Sequence, residues 1–276
     1  MTWRATVLVE RTEDGRFVLT ALGRLAGESA IGVETLLRAV DCLRMLRAEE
    51  VTDPTLIAMA QTSVELDGVY FPVNKRSTQK EPQHWWDELW RQGVARAVLM
   101  HMERNVTEAA QDTARAKKAA AWLYYVSGIS MEEIERAMSQ FGGAFDGSAG
   151  PIRSVTSRTC DVVPMIARAA EILHGGADLQ ERVARLLLRL ELGIRGPAVN
   201  IARYAERRLD RGDYERLCDA GMTEQEALAK TDDAALLKLL GNDTSKVRVV
   251  RDAAQRLRTA RPARAPAPPL LPKYEP

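Results

Sequence analysis

The sequence predicts a mainly α-helical protein opened by a single β-hairpin. Apolar residues recur at helical spacing through most of the chain, Ser/Thr caps and glycine stops punctuate those stripes, and only one short segment reads as paired strands. The 276 residues, 46% hydrophobic, suffice for one large or two to three small domains with a buried core. A net charge of +1 with both signs interspersed does not mark a nucleic-acid binder by charge alone. Cys42, Cys160 and Cys218 are odd in number and far apart, which argues against disulfides or a zinc site and fits a reducing cytosol. The apolar runs are too short to span a bilayer and the first eleven residues lack the pattern of a signal peptide, so a cytoplasmic protein without membrane contact is expected.

The elements follow in order. Asp14-Gly15 between the β-favouring runs 6–10 and 16–20 predicts a hairpin. It leads into a helix start at 19–26, as a wing leads into a winged-helix bundle, so 1–80 reads as a partial winged-helix-like region with linking helices. Helices are expected over 32–47, striped by Val33, Leu36, Leu37, Val40 and Leu43, and over 54–65, with a loop at 67–82. Trp85, Trp86 and Trp90 then share a short helix. They either pack between helices or offer a platform for a protein partner or a stacked base.

A helix at 107–127 ends at Gly128, and Ser130 with Glu133 forms a capping box stapled by Ile129 and Ile134. The helix at 152–173 has a dry side, Ile152, Val155, Val162, Val163, Ile166, Ala170 and Leu173. Its other side carries Ser154, Ser157, Arg158, Asp161, Met165 and Arg168, either a solvated face or a contact for phosphates and bases of a strand. Pro164 is expected to kink or split this helix. A helix at 178–192 stops at Gly193, and short helices at 197–208, 213–220, 223–229 and 232–240 follow, with a second capping box at Thr223 and Glu226. A last helix, 244–260, carries Lys246, Arg248, Arg251, Arg256 and Arg258, facing nucleic acid or water. The resulting division is 1–80, a bundle at 81–176, an end module with the basic helix at 177–260, and a tail at 261–276 with six of the twelve prolines.

No motif for chemistry stands out. There is no G-x-x-x-x-G-K-[ST] phosphate loop, and the glycine-rich stretch 141–150 has no lysine. His84, His101 and His174 lack metal-ligand spacing, while Glu132-Glu133 and Asp232-Asp233 sit where helix starts favour acids. No catalytic residue and no metal site are expected in this chain.

In order, these pieces resemble the C-terminal half of a Ski-like superfamily 2 helicase, of the archaeal repair-helicase and polymerase-theta type. Leu19-Thr20-Ala21-Leu22-Gly23-Arg24 looks like the exit from that family's winged helix. Ala116-Lys117-Lys118-Ala119-Ala120-Ala121-Trp122-Leu123 followed by Ile129-Ser130-Met131-Glu132-Glu133-Ile134 is similar to its first bundle helices. Gly150-Pro151-Ile152-Arg153 opens a helix where the family opens its ratchet helix, which lies against translocating single-stranded DNA. Leu187-Leu188-Arg189-Leu190-Glu191-Leu192-Gly193-Ile194 and Leu217-Cys218-Asp219-Ala220-Gly221-Met222 look like the ends of its helix-loop-helix module. Two departures stand out. Asp161 replaces a stacking tryptophan, and 203–212 replaces a glycine-rich hairpin, so arginine side chains take over phosphate contacts there or the module docks a protein.

The resemblance implies an accessory region that guides single-stranded DNA, with RNA as the alternative, from helicase motor domains supplied in cis or trans. ATP and Mg would belong to that motor, and repair or defence would be the setting. Arg153, Ser154, Arg158 and Arg168 would track the strand, while Lys117, Lys118, Arg203, Arg207, Arg208 and Arg211 would hold phosphates. The competing expectation is a helical regulatory scaffold that docks a partner subunit through Trp85, Trp86 and Trp90.

Overall fold

The computed structural model describes residues 7–74, 80–141, 149–175 and 178–259, with side chains at 149–154 outside that description. The described chain is mainly α, with fifteen α-helices and one two-stranded antiparallel hairpin. It divides into two compact units, 1–196 and 197–276.

In the first unit, β1 (Val9–Arg11) and β2 (Phe17–Leu19) pair in the register Val9↔Leu19, Glu10↔Val18 and Arg11↔Phe17, around Gly15 at φ +83. The hairpin leads into α1 (Ala21–Glu28), and the Thr20-to-Gly23 motif shows its physical purpose at this junction. Thr20 Oγ1 accepts the Gly23 amide at 2.9 Å and donates to the Val7 carbonyl at 2.6 Å, so one hydroxyl both caps the helix and ties it to the preceding chain. A Cβ on Gly23 would stand 2.0 Å from the Leu8 carbonyl oxygen, so only glycine permits this approach.

The bundle then builds from α2 (Val33–Leu43), α3 (Asp53–Ala60), α4 (Val64–Asp67), α5 (Lys80–Arg91), α6 (Arg96–Met102), α7 (Gln111–Val126), α8 (Met131–Ser139), α9 (Ala149–His174) and α10 (Gln180–Leu192). The segment expected as one helix at 54–65 is two, because Ser63 caps a new start on Leu66. The Ser130–Glu133 capping box is present. Gly193, at φ +65, ends α10, and its bare Cα lies under the Tyr125 ring, where an added Cβ would be 2.2 Å from the ring.

Two helices organise this unit. α9 packs against α1, α2, α3, α4, α7 and α10, and α7 against α3, α5, α6, α8, α9 and α10. Pro164 neither splits nor ends α9: the helix is continuous through it, held by its neighbours despite the missing N–H donor.

The second unit holds α11 (Val199–Ala205), α12 (Arg211–Asp219), α13 (Gln225–Lys230), α14 (Asp233–Leu239) and α15 (Thr244–Thr259). α15 packs on α11, α13 and α14, and buries Val247, Val249, Val250 and Ala253. The capping box expected at Thr223 and Glu226 is not formed. Thr223 is buried and Glu224 takes the N-cap position without a side-chain bond, whereas Asp210 and Asp213 form a box at α12 that sequence reading missed. The proline tail at 261–276 lies outside the described residues.

The Gly23 contact predicts a contrast within one helix. Gly23→Ala should lower stability by about 1–3 kcal/mol through overpacking, whereas Gly27→Ala, with nothing within 4 Å of its Cβ, should be neutral or stabilise by about 0.4–1 kcal/mol. Urea unfolding of the two variants checks this.

Candidate nucleic-acid interface

α7 carries the largest difference between expectation and structure. Arg115, Lys117 and Lys118 are 1%, 2% and 1% exposed. Arg115 donates to Asp67 from Nε at 2.7 Å and from Nη2 at 2.6 Å, and from Nη1 to the carbonyls of Met102 and Arg104 at 2.7 Å each. Arg38 meets the same Asp67 carboxylate at 2.8 Å. Lys117 Nζ lies 2.8 Å from Glu81 Oε1, and Glu81 also accepts from Trp85 Nε1 at 3.3 Å and from the Asn74 amide at 2.9 Å. Lys118 Nζ donates to the Leu66 carbonyl.

The electrostatics follow from burial. Loss of water pushes the Lys118 ammonium down to about 8 against the pull of Asp67, and lowers Lys117 against the pull of Glu81. Neighbouring His101 is pushed down to about 4, first by burial and then by Arg104, Arg115 and Arg38. The expectation that Lys117 and Lys118 hold backbone phosphates is therefore overturned: both ammonium groups are enclosed and bonded inside the bundle.

The tryptophans do not form one platform. Trp85 is fully buried, edge-on to His84 and Phe141, with Lys117 Nζ 5.7 Å from its ring centre. Trp86 is half-buried and lines an open groove of about 850 Å³ with Asp87, Glu103 and Asp112, while Trp90 is 59% exposed. A docking role is thereby confined to Trp86 and Trp90, because α5 turns Trp85 into the core.

On α9 the dry side is buried as expected at Val155, Val162, Val163, Ile166 and Ala170, and Met165 joins it at 5% exposure. Ser157, Arg158, Asp161 and Arg168 are exposed. Arg168 pairs with Glu171 at 2.7 Å. Beside this ridge lies a groove of about 690 Å³ lined by Tyr125, Thr156, Ser157, Cys160, Asp161, Leu187 and Glu191. Two exposed carboxylates, Asp161 and Glu191, are among its lining residues, and Arg158 and Arg168 are exposed on the same helix as Asp161. Burial raises the Cys160 thiol to about 11, which leaves it a weak nucleophile. The side chains of Arg153 and Ser154 lie outside the described residues.

In the second unit Arg203, Arg207 and Arg208 are exposed and Arg211 is half-buried. The turn between α11 and α12 places Glu206 and Arg207 at φ +53 and +58, a left-handed pair without glycine. Glu206 engages Arg256 at 2.5 Å and Arg208 at 3.8 Å. The amides at the start of α12 face the Asp210–Asp213 box, and Lys246 bridges both carboxylates at 2.8 and 2.7 Å. Acids thus occupy the helix start at which a phosphate would be received. The basic last helix is likewise engaged internally: Arg251 donates to the carbonyls of Leu228 and Thr231 and pairs with Asp233. Only Arg248 and Arg258 of its five cations stay exposed without such a tie among the described residues.

Sequence reading passed over Arg182, Arg185 and Arg189, which alternate with leucines as on any amphipathic helix yet line one pocket. Compared with known proteins, the chain matches no family model and no curated protein.

The buried Lys117–Glu81 pair predicts an asymmetric double-mutant cycle. Glu81→Gln alone removes the ammonium's counter-charge and should cost about 3–5 kcal/mol, whereas adding Lys117→Met should recover part of the loss, because no buried ammonium then remains and the one carbonyl oxygen of glutamine still accepts from Trp85 or from Asn74. Denaturant unfolding of both single variants and the double variant measures the coupling.

Proposed function

We propose that this chain is a non-catalytic, cytoplasmic accessory module of an ATP-dependent helicase, guiding a single nucleic-acid strand from motor domains supplied in cis or trans. The observation that carries this reading is the α9 ridge. One helix packs a dry side against six others and leaves Ser157, Arg158, Asp161 and Arg168 exposed beside a groove. Arg158 and Arg168 are ten residues apart, ~15 Å along the axis, and so suit separate phosphates of one extended strand. Asp161, on the same ridge, suits the amino edge of an unpaired base, which a carboxylate accepts from. The acidic groove then receives bases while the arginines receive backbone. ATP and Mg act on the motor, not on this chain.

A second reading, a scaffold docking a protein partner, is favoured by one observation: Trp90 is 59% exposed on a helix whose groove is lined by Asp87 of α5 and by Asp112.

Anisotropy of a labelled single-stranded oligonucleotide between roughly 50 and 200 mM salt separates the two. Strand guiding predicts binding that weakens with salt, and a log–log slope that falls by about 0.7 for each of Arg158→Ala and Arg168→Ala. An unchanged affinity and slope in the double variant removes the α9 ridge from the interface.

A further inference from the structure

We infer that the groove lined by Trp86 and Asp87 of α5, Glu103 at the end of α6 and Asp112 in the first turn of α7 receives an arginine-bearing segment of a protein partner, which rests on the scaffold reading and gives that partner a chemistry.

Burial on one side of α5 sets what the other side offers. Glu81, Trp85, Glu88 and Leu89 are 0%, 0%, 4% and 0% exposed, and Glu81 is tied to Lys117 and Trp85. That rotation turns Trp86, Asp87 and Trp90 outward, with the two indoles one turn apart on the same face. Trp86 walls the groove together with His84 and Phe141, and its volume of about 850 Å³ is that of a ligand site. Trp90 carries exposed aromatic surface further along the helix.

The charge in the groove is a separate observation. Elsewhere on the first unit acids are answered by cations of their own helix: Glu34 by Arg38, Glu88 by Arg91, Glu132 by Arg136 and Glu171 by Arg168. Asp87, Glu103 and Asp112 have no such partner among the described residues. Asp87 accepts from the neutral Gln83 amide at 2.7 Å and Asp112 from the Thr113 hydroxyl at 3.5 Å, which removes no charge. Lys80 also lines the groove, and His84, paired with the Gln140 side chain at 2.7 Å and held below the usual imidazole pKa first by burial, adds no charge at neutral pH. Three carboxylates against one ammonium leave an excess of two negative charges.

This combination selects arginine. A guanidinium stacks on an indole face and forks onto carboxylates, whereas a lysine ammonium meets them only as a point charge. The negative excess repels a nucleic-acid backbone. Trp90 continues the aromatic surface past the groove, which a segment of chain can cover and a free arginine cannot.

Fluorescence anisotropy of the full chain with a labelled hexapeptide carrying two arginines among alanines tests the site, beside the same peptide with lysine or with citrulline in place of arginine. The arginine peptide is expected to bind, more weakly as salt is raised. The lysine peptide should bind severalfold less tightly, and the citrulline peptide, alike in shape but uncharged, should not bind. Asp87→Asn and Glu103→Gln, both at exposed positions, should each weaken the arginine peptide about threefold without moving the unfolding midpoint. Trp86→Ala should weaken it about tenfold. Failure of the arginine peptide to bind, equal binding of the citrulline peptide, or full affinity in both folded carboxylate variants overturns the proposal. A citrulline peptide that binds equally and loses affinity in Trp90→Ala would still leave α5 a docking face, so the partner's chemistry can fail while the scaffold reading stands.

Discussion

Enclosing three cations on one helix constrains the whole first unit. Each buried charge on α7 must find a compensating group, and the compensators come from different elements. Asp67 at the end of α4 answers Arg115 and Arg38, Glu81 at the start of α5 answers Lys117, and the Leu66 carbonyl answers Lys118. The carbonyls of Met102 and Arg104 add the end of α6. The position of α7 thus fixes where α4 and α6 end and where α5 begins. Apolar packing supplies the favourable bulk energy, but it is non-directional. The ion pairs supply the geometry, since a displaced helix would leave a charge buried without a partner.

The same constraint redistributes chemistry. Charges spent inside the bundle are lost to any ligand, which moves candidate binding surfaces to α9 and α10. Of these two, α9 offers acid and base beside a groove, and α10 lines a pocket with three arginines, two of them facing Asp53. In the second unit Asp210, Asp213 and Glu206 draw in Lys246, Arg216 and Arg256. A helix that reads as a basic stripe has three of its five cations engaged by acids from other elements, with Arg248 and Arg258 left exposed.

Local signals were legible in the sequence to the extent that local physics decides them. The hairpin turn at Gly15, the Ser130–Glu133 box and the Gly193 stop all act within a few residues, and all are present. Thr20 and Gly23 were visible as a motif, and only the fold shows that the glycine makes room for the Leu8 carbonyl. The fate of Lys117 and Lys118 was not legible, because two lysines among alanines look like an exposed basic patch. Their partners Glu81 and Leu66 lie 36 and 52 residues away in sequence. Trp85 takes the packing alternative of the two that the sequence left open, with Phe141 and Lys117 among its partners. Pro164 does not split its helix as one of the two expectations had it: α9 runs through it, packed along its length. The arginines of α10 gave no signal, since their carbonyl partners Val51 and Val126 lie far from them in sequence.

Reactivity of the lysines toward an amine-acylating reagent, followed residue by residue by peptide mass spectrometry under native conditions, tests the internal placement of the α7 charges most directly. Lys80, Lys230 and Lys238 are exposed and should be modified quickly, while Lys117 and Lys118 should react only as fast as the bundle opens. Modification of Lys117 or Lys118 at the rate of Lys238 in the folded protein would contradict the account, and would return both ammonium groups to the surface where a strand could meet them.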